Sequence, residues 1–279
     1  MKYDIGLSFS PGAIDISVQC ELAKASLQIK PACCADGAPG LSFAELARQA
    51  APLGAAFVQA ARRRHPAIAC AKGCPACCRQ LVCVSAPETA MIADRLSAME
   101  GRRRAAIEQR MDALRRRLRQ TLLWESLAEL RDDARDEAGH YALARAYYDL
   151  AADCPFLSDG ACALYPQWPF ACAEYLAASD PARCANPFDP GLRAVHAGPG
   201  LAETLARLWA CRWREPLRWI ALPLAVDWAR RNETQLRAPL PAESLIRHFC
   251  LQLEITLGSM QGGAGMQAKA KSGEIENEA

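Results

Sequence analysis

The sequence predicts a mainly α-helical protein whose helices surround two irregular, cysteine-rich segments. Apolar residues recur at three- and four-residue steps over much of residues 41–257, the spacing of amphipathic helices. Alternation typical of a strand is almost absent apart from residues 81–84. Prolines, aromatic residues and cysteines crowd together over residues 154–190, which excludes a long helix there. We therefore expect a helical domain in which the two cysteine-rich segments dock together.

The two ends of the chain have a different character. Residues 1–40 show little periodicity and close in a stretch rich in proline and glycine, which predicts a loosely structured arm. From residue 258 onward the chain is rich in Gly, Lys, Glu and Ser, which predicts a disordered tail over residues 258–279. The helical domain should accordingly occupy residues 41–257.

Local signals place the helices within this domain. A first amphipathic helix is expected over residues 42–64, closed by Pro66. Ser85 followed three residues later by Glu88 forms a capping box that begins a second helix. Residues 102–150 are rich in Ala, Arg, Leu and Glu and predict two or three antiparallel helices. Further helical patterns cover residues 201–211, 214–231 and 242–257.

Cysteine usage points to a metal centre in a reducing compartment. Fourteen of the 279 residues are cysteine, an excess that stays below the roughly 8–10% typical of short secreted disulfide scaffolds. The first residues lack the apolar stretch of a secretory signal, so we expect a cytoplasmic protein with reduced thiols. Clustered cysteines in such a compartment indicate metal binding or catalysis.

Charge and hydropathy argue against two classes of partner, nucleic acids and membranes. The formal net charge is +2 with both signs interspersed, which gives no basic surface for a nucleic acid. No run reaches the 18 or so apolar residues that a membrane-spanning helix needs. We therefore expect neither nucleic acid nor membrane as a partner, and the sequence leaves an unidentified protein partner open.

The candidate metal ligands fall into two clusters. Four cysteines lie within nine residues in CAKGCPACCR, where gaps of two and three residues let several sulfurs converge on one centre. Four more follow within residues 154–184, a segment that no single regular element can contain. The eight candidates are Cys70, Cys74, Cys77, Cys78, Cys154, Cys162, Cys172 and Cys184.

The ligand type alone does not identify which metal is bound. Thiolates select zinc, cuprous copper or iron–sulfur clusters. The adjacent Cys77 and Cys78 are awkward as two ligands of one tetrahedral zinc, which favours an iron–sulfur cluster, with Zn²⁺ as the alternative. A redox switch built on this vicinal pair, without metal, is another hypothesis. The isolated Cys83, Cys211 and Cys250 are interpreted as packing residues.

Both clusters resemble the YkgJ-like cysteine-cluster family, a zinc- or iron-chelating domain often written CxxCxxCC. The resemblance covers about residues 65–190: CAKGCPACCRQLVCVSAPETAMIADRL is similar to the family's first block, and CPFL with Gly160, Cys162, Tyr165, Pro169, Cys172 and Tyr175 is similar to its second. This chain departs from the pattern at Pro75, Trp168 and Ala173. The resemblance implies metal binding by the cysteines. Because flagellin lysine N-methylases carry the same cluster type, it also implies an alternative, a protein-lysine N-methylase-like enzyme.

Overall fold

The structure is a computed structural model and describes residues 3–20, 23–33, 37–71, 73–130 and 137–269. Helices account for most of its regular structure, in agreement with the predicted fold class. They are α1 (Phe43–Arg64), α2 (Ala86–Ser97), α3 (Gly101–Gln120), α4 (Leu123–Ala128), α5 (Glu137–Asp149), α6 (Phe170–Glu174), α7 (Leu201–Trp213), α8 (Ala225–Arg231), α9 (Glu233–Arg237) and α10 (Ala242–Lys269).

The strands are short except near the N-terminus. They are β1 (Tyr3–Ser10), β2 (Ala13–Cys20), β3 (Lys24–Ile29), β4 (Ala32–Cys33), β5 (Pro39–Leu41), β6 (Cys83–Val84), β7 (Leu157–Ser158), β8 (Ala161–Cys162), β9 (Tyr175–Ala177), β10 (Ala194–His196), β11 (Ile220–Ala221) and β12 (Leu240–Pro241). Two short 3₁₀ helices cover Pro181–Ala185 and Leu222–Leu224.

The expectation of a loosely structured N-terminal arm is wrong for the described residues. Strands β1, β2 and β3 form an antiparallel sheet in that order, joined first by a tight turn at Gly12, whose φ is +78°. Ile14, Ile16 and Val18 of β2 are buried and alternate with polar residues. Their side chains join the same apolar core as α1, so the sheet belongs to the main fold.

Truncating the sheet's apolar face is expected to destabilise the whole protein. Ile16 is fully buried, so Ile16→Ala should lower the free energy of unfolding by about 3 kcal/mol through lost burial and the cavity left behind. Gln19→Ala, at an exposed site on the same strand, should change it by less than about 0.5 kcal/mol. Urea unfolding followed by circular dichroism measures both. Equal stability of the two variants would contradict a sheet that shares the core.

The helices lie close to where the sequence predicts them. Helix α1 begins after Ser42, whose backbone N–H donates to Glu45 Oε2 at 2.8 Å while Glu45 N–H donates to Ser42 Oγ at 3.2 Å. Helix α2 begins at the predicted capping box. Residues 102–150 contain α3, α4 and α5, in agreement with two or three helices. The strand-like alternation at residues 81–84 corresponds to a strand only over Cys83–Val84, which is β6.

Two helix boundaries differ from expectation. The helix predicted over residues 214–231 is wrong at its start, because Ile220–Ala221 forms strand β11, which pairs antiparallel with β6. Regular helix begins only at Ala225, after Pro223. At the C-terminus α10 continues to Lys269, so residues 258–269 are helical where a disordered tail was expected. Residues 270–279 lie outside the described part of the chain.

One apolar core joins the sheet to the helices around it, with fully buried residues from α1, α2, α3, α7 and α10. Phe43, Phe57 and Phe249 are the largest of these side chains. Within the described ranges, no helix combines the length and the apolar character needed to cross a membrane. Cys154 and Cys162, from the second cysteine-rich segment, pack against this core.

Candidate metal centre

The first cysteine segment follows α1 as a series of tight turns. Cys74 N–H donates to Ala71 O at 3.2 Å and Cys78 N–H donates to Pro75 O at 2.9 Å. Such turns satisfy the backbone without a helix and bring cysteines that are close in sequence to one surface of the chain. The segment then straightens into β6, which begins with Cys83.

The second cysteine segment is folded by a hairpin and one short helix. Strands β7 and β8 pair across Asp159 and Gly160, both of which have positive φ. Cys162 ends β8, and Cys172 lies in the single turn and a half of α6. The irregular structure predicted for this segment is therefore observed.

A cavity of about 600 Å³ lies between the two cysteine segments. Other parts of its wall come from one face of α5, at His140, Leu143, Ala144 and Tyr147, and from Leu130, Ala202, Trp219, Leu222 and Pro223. Six of the eight predicted ligands line it, together with Cys83. The lining cysteines are Cys74, Cys77, Cys78, Cys83, Cys154, Cys162 and Cys172.

Backbone and side-chain hydrogen bonds join the segments beside this cavity. Cys154 N–H donates to Cys78 O at 2.6 Å, a contact between residues far apart in the sequence. Arg79 and Asp153, the adjacent residues, form an exposed ion pair at 2.7 Å that adds little stability. The backbone hydrogen bond fixes the distance between the two cysteine segments at Cys78 and Cys154.

The two remaining predicted ligands are not among the residues that line the cavity. Cys70 packs against a small apolar cluster that includes Val58 and Leu176, and its Sγ accepts a hydrogen bond from Ala177 N–H at 3.2 Å. Cys184 is buried, and its carbonyl oxygen accepts from Gln80 Nε2 at 3.3 Å. Cys70 therefore contacts the second segment and Cys184 contacts the first, and neither residue is part of the cavity lining.

Burial and mutual repulsion oppose ionisation of most cavity thiols. Burial raises the pKa of Cys83 and of Cys154 to about 12, and the neighbouring Cys162 and Cys77 add to the effect at Cys154. Burial, then Cys154, Cys77 and Cys162, raise the pKa of Cys172 well above its usual range. These thiols affect one another because they are close, and a bound cation is what would allow several of them to be thiolates together.

The vicinal pair behaves differently. The Cys78 thiol donates a hydrogen bond to the Cys77 sulfur, which lowers the pKa of Cys77 and raises that of Cys78. Within the pair, Cys77 is consequently the thiol that more readily becomes a thiolate, the form that binds metal and reacts with electrophiles.

Glu88 links the predicted capping box to the second cysteine segment. Its side chain is fully buried and its Oε2 accepts from Ser85 N–H at 2.8 Å and from Ser85 Oγ at 2.7 Å. Its Oε1 accepts from Phe170 N–H at 2.7 Å, at the start of α6. Burial raises the pKa of Glu88. One carboxyl group thus positions both α2 and the short helix that carries Cys172.

Glu174 anchors the other end of α6. Its Oε1 accepts from Leu201 N–H, the first residue of α7, at 3.2 Å, and its side chain lines the cavity. Burial, with a smaller contribution from Glu88, raises its pKa to about 8. Gly198 makes this position possible, because a Cβ there would lie 1.9 Å from Glu174 Cδ.

Gly198→Ala is expected to displace Glu174 and to lower the free energy of unfolding by about 2 kcal/mol, since the added carbon meets the body of a buried side chain. Gly191→Ala is the matched control. Its Cβ would lie 2.2 Å from Arg183 Nη1, the mobile end of a half-exposed side chain that can move away, so the cost should stay below about 1 kcal/mol. Thermal unfolding compares them, and a larger loss at Gly191 would contradict the role given to Gly198.

The cysteine sulfurs of the cavity are suitable ligands for a thiophilic metal. Their positions in the structure do not form a complete coordination site. Sulfur is the ligand that zinc and iron–sulfur clusters prefer. Across the described ranges, however, no three or more Cys, His, Asp or Glu side chains are grouped so that they could hold a metal ion. The side chains would have to turn toward one another around χ1, which moves Sγ while the backbone stays in place.

Sequence reasoning missed one cysteine and misjudged another. Cys83 lines the cavity, although its isolated position in the sequence predicts a packing residue. Its position five residues after Cys78 was the available signal. Cys211 is exposed on α7, so packing does not account for it, whereas Cys250 is buried in the core as expected. Glu88 was recognised only as a helix cap.

Comparison with known proteins adds no assignment. No protein-family model matches the chain, and no curated protein or solved structure matches it either. The similarity to the YkgJ-like family therefore remains a prediction that depends on the two quoted cysteine motifs.

Proposed function

We propose that this protein binds a metal centre through cysteines of both segments, and that the centre is an iron–sulfur cluster in preference to Zn²⁺. The observation that carries the proposal is the shared cavity, which is lined by six of the eight cysteines chosen from sequence alone. The ligands would be drawn first from Cys77, Cys78, Cys154, Cys162 and Cys172. Cys74, which lines the cavity, and Cys70 and Cys184, which do not, are further candidate ligands.

Two features favour a cluster over a single zinc ion. A structural zinc site is closed and tetrahedral, with four ligands packed around one ion. A cavity of about 600 Å³ with seven lining thiols offers more room and more sulfur than such a site uses. The adjacent Cys77 and Cys78 also suit a centre with more than one metal atom. A bound cluster would supply one-electron transfer or a Lewis-acidic iron.

The residues around the thiols support this role. The Ala177 N–H bond to Cys70 Sγ is of the kind that stabilises thiolate ligands and tunes their metal. Glu88 and Glu174 hold the ends of α6 and so position Cys172. Since thiolate ligands require reduced cysteines, we propose that the protein works in a reducing compartment such as the cytoplasm.

The test is anaerobic purification from iron-replete cells, with an absorption spectrum and metal and sulfide analysis on the same sample. A brown protein with broad absorption near about 400 nm and matching iron and sulfide supports the cluster. A colourless protein with stoichiometric zinc supports the alternative metal. Metal-free protein whose thiols react readily, with Cys77 first, would overturn metal binding and favour the redox switch.

The cavity also favours a second candidate, a protein-lysine N-methylase-like enzyme. Such an enzyme needs a space beside the centre for its methyl donor, and the cavity provides one that is partly open. Binding of S-adenosylmethionine to the metal-loaded protein, measured by calorimetry, would support this candidate. A lack of heat at millimolar donor would count against it.

A further inference from the structure

We propose that two copies of this chain associate through the outer edge of β1, where each β1 pairs antiparallel with its copy about a two-fold axis. The partner of this surface is thus a second copy of the chain. The inference goes beyond the proposed metal centre and does not depend on it, because it concerns a surface formed by the N-terminal sheet and α10.

The outer edge of β1 is open to a further strand. Its sheet has the order β1, β2, β3, and in the described part of the chain β1 pairs with β2 alone. An edge strand presents a row of N–H and C=O groups that another strand can bind. Strand β1 is eight residues long and contains neither proline nor lysine, two residues that commonly protect such an edge. The edge therefore suits an added strand.

The opposite edge of the sheet, at β3, is better protected. The apolar residues Ala25, Leu27 and Ile29 of β3 are buried, where the strand packs against α1. Lysines at positions 24 and 30 lie at its two ends. Because lysine on an edge strand opposes pairing with another chain, we expect the second copy at β1 and not at β3.

The apolar face of the sheet continues into β1 but is less covered there. Ile5 and Leu7 lie opposite Val18 and Ile16 of β2, and residues directly opposite each other point to the same face. The two residues of β2 are fully buried, whereas Ile5 and Leu7 are only half-buried. Phe9 of the same face is 41% exposed. The apolar row therefore reaches the edge of the sheet without complete cover.

Helix α10 lies on this face of β1 and runs in the opposite direction. Near the end of the strand, Arg247 Cζ lies 4.7 Å from the ring centre of Phe9. Near its beginning, a Cβ on Gly258 would lie 3.5 Å from Tyr3 Oη. Every second residue of a strand points to the same face, so Tyr3 and Phe9 both belong to the apolar row. The two contacts therefore align α10 with the length of β1.

A two-fold axis through the middle of β1 brings the exposed apolar residues together. Antiparallel pairing centred on Gly6 places Ile5 opposite Leu7 of the copy and keeps both α10 helices on one side of the joined sheet. On α10, Leu251 and Ile255 lie on either side of the point halfway between the two contacts with β1, and they are 50% and 44% exposed. Leu251 consequently faces Ile255 of the copy.

The same pairing keeps like charges apart. Asp4 lies opposite Ser8 of the copy, because the two positions are equally distant from Gly6. Arg247 lies at the end of the interface that receives Gly258 of the copy, so it does not meet a second Arg247. Like charges placed directly opposite each other would oppose association. The surface is thus self-complementary, as a two-fold interface requires.

Sedimentation equilibrium of the full-length protein tests the association, with a dimer expected at twice the 30.3 kDa of one chain. Ile255→Lys should raise the dissociation constant of the dimer about a hundredfold, because the symmetry places two charges in an apolar contact. Leu251→Lys should act alike. Leu122→Lys is the matched control, since Leu122 is an apolar residue, 77% exposed, outside β1 and α10. Equal dissociation constants for the Ile255 and Leu122 variants would contradict the interface.

Hydrogen exchange separates strand pairing from contact between the helices alone. Pairing protects the outward-facing amides of β1, so Tyr3–Ser10 should exchange more slowly in the dimer than in monomeric Ile255→Lys. Exchange over Lys24–Ile29, at the opposite edge, should be the same in both proteins. A dimer without added protection in β1 would overturn the strand pairing. Wild-type protein that stays monomeric at about 100 μM would overturn the whole proposal.

Discussion

Replacing Cys77 and Cys172 together by alanine is expected to abolish stoichiometric metal binding. The pair takes one sulfur from each segment, and both residues line the cavity. Metal that binds only the folded chain stabilises it by about 4 kcal/mol when the free metal is a thousandfold above its dissociation constant. The midpoint of thermal unfolding should therefore fall by about 10 °C. Elemental analysis and a thermal scan of the anaerobic protein measure both effects.

Cysteines outside the cavity provide the control for this experiment. Cys211 is exposed on α7 and is not part of the lining, so Cys211→Ala should keep its metal and its unfolding temperature. A double variant of Cys77 and Cys172 that retained one full equivalent of metal would contradict the proposed ligands. Equal metal loss in Cys211→Ala would indicate adventitious binding by exposed thiols.

Glu88→Ala is expected to lower the free energy of unfolding by about 4 kcal/mol. The substitution leaves Ser85 N–H, Ser85 Oγ and Phe170 N–H without their acceptor in a fully buried position. Each buried polar group that loses its partner costs about 1–3 kcal/mol. Chemical unfolding measures the loss. Because α6 is released as well, the variant should also bind less metal.

The other capping box of the protein provides the comparison. Glu45 makes the equivalent bonds to Ser42 at the start of α1 but is only half-buried, and among the described residues it makes no bond to a second segment. Glu45→Ala should therefore cost about 1 kcal/mol, the usual contribution of a helix cap. Equal losses in the two variants would show that Glu88 acts only as a cap.

The sequence predicts the helices well because their signals are local. Ser85 with Glu88 marks the start of α2 within four residues. Apolar positions at three- and four-residue steps identify the rest. The helix prediction is wrong over residues 214–224 because local signals are ambiguous there. A short apolar run suits either a helix or a strand. Pairing between β11 and β6, which lies far back in the chain, decides in favour of the strand.

The N-terminal sheet was overlooked for a related reason. Ile14, Ile16 and Val18 do alternate with polar residues, but each strand is only six to eight residues long. Nearby proline and glycine suggest a loop when they are read alone. The strands are stable because they pair with one another and pack on α1, where Lys30 N–H donates to Gln49 Oε1 at 2.8 Å. Such non-local contacts leave little trace in a single sequence.

The sequence predicts that the candidate site consists of cysteines from two segments. It predicts only in part which of the cysteines line the shared cavity. Cysteine spacing identifies two segments, because gaps of two and three residues are a local pattern. Which sulfurs face one cavity depends on side-chain direction and on contacts between distant elements. Cys83 joins the cavity because β6 turns it inward, and Cys70 leaves it because Ala177 holds its sulfur elsewhere.

The hydrogen bond between Cys78 and Cys154 has a consequence for biosynthesis. The two residues are separated by α2, α3, α4 and α5, so a chain still emerging from the ribosome presents its first cysteines long before the second segment exists. Under the proposed function, insertion of the metal must wait until Cys172 has been synthesised and α6 has docked. The centre is therefore unsuited to transplantation as a short peptide, unlike a zinc finger, whose ligands lie within one compact stretch of sequence.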